Sequence, residues 1–82
     1  MKHKQKELLE RMKDTLRSYR DAEQNADAYY SAETIRNNMA QYFGGLSFGM
    51  QLMTGTEWHW GYDGQTYRIV ELKAGKEKEY LI

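Results

Sequence analysis

Residues 57–70 read EWHWGYDGQTYRIV, and two β-prone runs flank Asp63-Gly64. Asp-Gly between such runs is a strong hairpin signal, because a type I′ turn needs positive φ at both central residues. The stretch predicts one strand over about 56–62 and a second over about 65–72. A two-residue loop pairs Tyr62 with Gln65, Trp60 with Tyr67 and Trp58 with Ile69. Successive side chains alternate across a sheet. Trp58, Trp60, Tyr62, Tyr67 and Ile69 therefore share one face. Glu57, His59, Gly61, Thr66 and Arg68 share the other, with His59 opposite Arg68.

Downstream, Ala74-Gly75 suggests a second turn and EKEYLI a third strand closing the chain. A two-residue loop there sets Glu71 opposite Lys78 and brings Tyr80 and Ile82 beside Ile69 and Tyr67. A Gly bulge would shift that register by one and turn Tyr80 outward. The first register is favoured. Glu77 and Glu79 alternate with Lys76 and Lys78, the pattern of a solvated edge that discourages sheet-to-sheet pairing. A meander this small is stable only if one face is covered, and the aromatic face is the one expected to meet the helices. The competing use of those rings is a stacking platform for single-stranded nucleic acid.

Upstream of the sheet the chain reads as helix. Leu9, Met12, Leu16, Tyr19, Ala26 and Tyr30 recur at spacings of three and four, interrupted by Glu23. The first helix is expected over about 6–29. Lysines at a helix N-terminus oppose the macrodipole, so residues 1–5 are expected to fray. Ser31 is a cap for a second helix, with Glu33 in its first turn. Ile35, Met39, Tyr42, Phe43 and Leu46 line one side of it. Residues 44–53 carry two readings. Gly44-Gly45 looks like a stop followed by a strand, LSFGMQLM. Yet Leu46, Met50 and Met53 continue the helical spacing, no β-branched residue occurs, and Gly45 and Gly49 share a face. Helix to about residue 53 is preferred.

The whole is expected to be α+β: a two-helix hairpin followed by a small antiparallel β-meander of two or three strands packed on the helices. It reads as a single domain over residues 1–82, with a basic tail at 1–5, a helical part at 6–53 and a β part at 56–82.

Composition narrows function by exclusion. The chain has no Cys, which removes disulfide frameworks and thiolate metal sites. No apolar run is long enough to span a bilayer. The opening MKHKQKELLERMK lacks the apolar stretch of a secretion signal, and the cytoplasm is the expected location. Twelve basic and twelve acidic residues balance, but residues 1–20 hold seven basic and three acidic groups, whereas 21–57 hold one and five. His3 and His59, even with Glu57, do not make a metal site. GGLSFG lacks the Lys-Ser/Thr pair that ends a phosphate loop, and no nucleophile motif is present. No enzyme activity, cofactor, metal, small-molecule substrate or membrane contact is expected.

Two binding classes remain. The preferred one is association with another protein or with itself as a homodimer, as in an accessory or inhibitor protein of a bacterium or mobile element. Its candidate contacts are Tyr19, Tyr29, Tyr30, Met39 and Tyr42, with Met12, Met50 and Met53 as adaptable neighbours. The alternative is nucleic-acid binding, through Lys4, Lys6, Arg11, Lys13, Arg17 and Arg20 or through the Trp/Tyr sheet face. Interleaved Glu7, Glu10 and Asp14 weaken that option, since a mixed-sign helix face is ordinary solvated surface.

Overall fold

The computed structural model describes residues 1–27 and 31–82. Two helices, α1 (His3–Gln24) and α2 (Ala32–Thr54), precede three strands, β1 (Glu57–Tyr62), β2 (Tyr67–Lys73) and β3 (Lys76–Leu81). The strands form one antiparallel sheet in the order β1-β2-β3. The fold is the α+β arrangement expected from the sequence.

Helix α1 starts earlier and stops sooner than its periodicity suggests. Residues 3–5 are helical because Gln5 secures the first turn. Its side-chain oxygen accepts from the Lys2 backbone N–H at 2.9 Å, and its amide donates to the Met53 carbonyl at the far end of α2 at 3.2 Å. These bonds satisfy end groups that a helix cannot satisfy itself and offset the unfavourable lysines. At the other end, the Asn25 side chain donates to the Asp21 carbonyl at 2.9 Å and closes the helix five residues before the expected end. Ala26 is thus outside α1 and exposed.

Helix α2 begins where the sequence suggests. The Ser31 hydroxyl accepts from the Thr34 N–H at 3.2 Å. It then runs through Gly44, Gly45 and Gly49, so the strand reading of 44–53 does not hold. The stop is Gly55, which takes a left-handed φ of 73° and donates its N–H to the Gln51 carbonyl at 2.8 Å.

One core joins helices and sheet. Leu9, Met12 and Leu16 of α1 meet Met39, Phe43 and Met50 of α2 over Trp58, Tyr67 and Ile69. Trp60 and Tyr80 pack partly buried against it. Each large side chain taken from water contributes about 1.5–3 kcal/mol before the cost of ordering it.

The β1–β2 register differs from expectation by two residues. Tyr62 pairs with Tyr67, Trp60 with Ile69 and Trp58 with Glu71. The connection is the four residues Asp63 to Thr66 because the Asp63 carboxylate organises it. Oδ1 accepts from the backbone N–H groups of Gln65 (2.9 Å) and Thr66 (2.8 Å), and Oδ2 from the Thr66 hydroxyl (3.0 Å). Those hydrogen bonds lower the Asp63 pKa. An even shift keeps every side chain on its face. His59 consequently faces Val70, and its ring lies 3.4 Å from Glu57 rather than beside Arg68. The β2–β3 register is the expected one, with Glu71 opposite Lys78 and Ile69 opposite Tyr80. Its turn residues Ala74 and Gly75 have φ of 52° and 77°, the signs a type I′ turn requires.

Candidate protein-binding face

Asn37 to Thr56 is a run of twenty residues without Asp, Glu, Lys, Arg or His. On α2 it divides by helical position. Met39, Phe43 and Met50 turn inward and are buried. Tyr42, Phe48 and Leu52 turn outward and leave 58%, 61% and 73% of their surface in water. Met53 is also exposed. Gly45 lies between them, three residues after Tyr42 and three before Phe48. Beyond the adjoining stretch of α2 itself, no atom of the described residues lies within 4 Å of the place where a Cβ on Gly44 or Gly45 would stand. Gly49, one turn on, has the Leu8 side chain 3.6 Å from that place. The result is a charge-free face, with the exposed amides of Asn38, Gln41 and Gln51 among its apolar side chains, a shallow floor at Gly45 and a wall on the α1 side.

That wall carries charge. Arg11, Asp14, Thr15, Ser18 and Tyr19 of α1 and Tyr42 of α2 line a groove of about 320 Å³ between the helices. Asp14 holds Arg17 at 2.7 Å, whereas Arg11 makes no ion pair among the described residues. An apolar centre with a polar rim is the usual anatomy of a protein interface.

Comparison with protein-family models, curated proteins and solved structures finds no match for this chain. Its function must be read from its own surface.

The expected contact residues are divided by the fold. Tyr42 is on the exposed face, and Tyr19 lines the groove while packing partly against the core. Met39 is wholly buried, as are Met12 and Met50, so these three belong to the core and not to a contact surface. Tyr29 and Tyr30 lie outside the described residues. Phe48 and Leu52 were missed. The charge-free run around them, laid on a helix, is the signal that reveals them.

The nucleic-acid residues all lie on α1. Lys4, Lys6 and Arg11 are exposed. Lys13 is 3.5 Å from Glu10, Arg17 pairs with Asp14 and Glu10, and Arg20 is 3.2 Å from Asp21. Half of the set is thus partly neutralised by neighbouring carboxylates. The sheet aromatics are not an open stacking platform, because Trp58 and Tyr67 are buried beneath the helices. Tyr62 remains exposed at the sheet end, stacked on Tyr67 at 4.5 Å between ring centres and under the Arg36 guanidinium at 4.6 Å.

Two polar clusters brace the inside. At one end the Tyr67 hydroxyl donates to Glu23 at 2.5 Å and accepts from Arg36 Nε at 3.2 Å, with Arg36 also 3.3 Å from Glu23. Glu23 is the residue that interrupts the apolar stripe of α1. Burial, and next the bond to Glu23, push the Tyr67 pKa up to about 12. A hydroxyl that holds its proton so firmly is a poor base at neutral pH and a good strut. At the other end Trp58 Nε1–H donates to Thr54 (2.9 Å), and the Thr56 hydroxyl donates to Glu71 (2.7 Å). The Thr54 hydroxyl can then donate to Thr56 or to the Met50 carbonyl, each at 2.8 Å. The Tyr80 hydroxyl donates to the second Glu71 oxygen at 3.1 Å, and burial raises its pKa. Among the described residues no three metal-ligating side chains converge, and no helix is long and apolar enough to cross a membrane.

Proposed function

We propose that this chain is a non-catalytic accessory protein that acts by binding another protein through the outer face of α2. The observation that carries the reading is the exposure of Tyr42, Phe48 and Leu52 on a helix face without a single charge. Exposed apolar patches of several hundred Å² on small proteins mark interaction sites. The rigid support fits this role, since α2 is held at its N-terminal part by Arg36 and at its C-terminal end by Thr54. The absence of Cys suits a reducing compartment such as the cytoplasm.

A photoreactive phenylalanine analogue at position 48, in the protein's native cells, tests this directly. The expected result is a discrete protein adduct that is absent when the analogue replaces Glu77 on β3. Adducts to nucleic acid instead, strongest from positions 4 and 6, would establish the alternative and reject this reading.

A further inference from the structure

We infer that the partner on this face is a second copy of the chain, packed antiparallel about a two-fold axis beside Gly45. The inference rests on the outer face of α2 being a protein-binding surface, and it names the occupant.

Three observations select a second copy. The first is charge. A face with no charge repels nothing when it meets itself, and it offers a charged partner nothing to pair with. The second is the register of the rim. Helices α1 and α2 run antiparallel, with Leu8 against Gly49 and Gln5 bonded to the Met53 carbonyl. The turn from Arg11 to Asp14 therefore lies alongside Gly45. A two-fold axis in the interface plane, perpendicular to α2 at Gly45, brings Gly45 of each copy together and lays each Phe48 beside residues 41–44 of the other copy. The same axis reverses α1 against α1, which puts Arg11 of each copy, without an ion pair among the described residues, opposite Asp14 of the other. One operation thus solves the apolar centre and the charged rim together.

The third is area and backbone. Tyr42, Phe48, Leu52 and Met53 leave roughly 500 Å² in water, and their polar surround extends the patch towards the ~800 Å² per partner of a stable interface. Gly44 and Gly45 weaken α2, yet none of the described residues occupies the space their missing side chains leave. A second helix approaching closely at Gly45 uses that space, with Phe48 as the inserted side chain.

The test is sedimentation equilibrium of the purified full chain from nanomolar to about 100 μM, with a dimer of micromolar or tighter Kd expected. Gly45→Gln should raise Kd at least 30-fold while leaving the melting temperature of the dilute monomer unchanged or higher, because Gln is a better helix former. Arg11→Asp and Asp14→Arg should each raise Kd about 5-fold, and the double swap should restore it. A chain that stays monomeric at 100 μM, or a dimer indifferent to Gly45→Gln, overturns the inference. If such a monomer still gives a protein adduct from position 48, the binding reading stands and only the self-pairing is lost. If it gives none, both are lost.

Discussion

On the inner side of α2, Met39, Phe43 and Met50 are covered by α1 and the sheet, while on the outer side Phe48 and Leu52 keep most of their surface in water. From Asn37 onward both sides of this helix are free of charge, but the outer one sets the exposed amides of Asn38, Gln41 and Gln51 among its apolar side chains. Helix α1 meets solvent differently, with Glu7, Glu10, Arg11 and Asp14 exposed along it. The contrast teaches that α1 meets water with charge, whereas the outer side of α2 meets it without any. On the proposed reading its apolar residues are there to be covered by a partner, and none of the described residues covers them.

The largest effect that can break this comparison comes from truncating one aromatic on each side. Phe43→Ala should destabilise the fold by about 3–5 kcal/mol, since it opens a cavity in a packed core. Phe48→Ala should change the dilute monomer by no more than about 0.5 kcal/mol. Urea denaturation of both variants at low concentration decides it. Equal losses would mean that the outer face is part of the monomer's own packing.

A tyrosine pair sharpens the same contrast on a smaller scale. Tyr67→Phe strands the Glu23 carboxylate with Arg36 alone and should cost about 1–3 kcal/mol at neutral pH. Tyr42→Phe should cost almost nothing. The pH dependence has a definite sign. Tyr67 is raised from 10.0 to about 12 in the fold. Its contribution is therefore complete below pH 10 and is lost as pH climbs from 10 towards 12. The stability gap between the wild type and Tyr67→Phe should narrow across that window, and urea midpoints at pH 8 and 11 would reveal whether it does.

The covered side was legible in the sequence because covering leaves a period. The stripe of α1, the Ser31 cap and the alternation of Trp58, Trp60, Tyr67 and Ile69 all correspond to real elements. What was misread is where two local solutions fit the same letters. Asp63-Gly64 is compatible with a two-residue turn, and also with a four-residue loop nucleated by the Asp63 carboxylate. Both put the same rings inward, so face patterning could not choose between them. Ala74-Gly75, a weaker motif, gives the right register because the charges of Glu71 and Lys78 and the apolar side chains of Tyr80 and Ile69 agree on it. Gly44-Gly45 resembled a stop, but apolar residues continued beyond it at helical spacing, and Gly55 ends the helix. The outer face was hardest to see. Periodicity tells which positions are apolar and not which of them the chain itself covers, so it does not separate the buried Met39 from the exposed Phe48 and Leu52.

Gly45 offers a change of opposite sign. Gly45→Ala should stabilise the dilute monomer by up to about 1 kcal/mol, because the added Cβ meets open space and Ala is the better helix former. Thermal melts of the variant at micromolar and lower concentration measure it. A loss instead of a gain would mean that the backbone at Gly45 depends on the absence of a side chain even without a partner, and the inner and outer sides would then be less separate than they look.

The smallest effect is the most discriminating, because it changes with concentration. Phe48→Gln exchanges an exposed ring for an exposed amide on a helix that tolerates both, so the folded monomer has little to lose. In dilute solution the melting temperatures of variant and wild type should agree within about a degree or two, corresponding to the few tenths of a kcal/mol expected for an exposed site. As concentration rises, a chain that pairs with itself gains stability by mass action, since only the folded form carries the face. The wild-type melting temperature should therefore climb with concentration while that of Phe48→Gln stays nearly flat. If the two rise together, association uses some other surface. If neither rises, the ring at position 48 awaits a different protein, and the difference between the two sides of α2 becomes a difference between what this chain covers and what a partner covers for it.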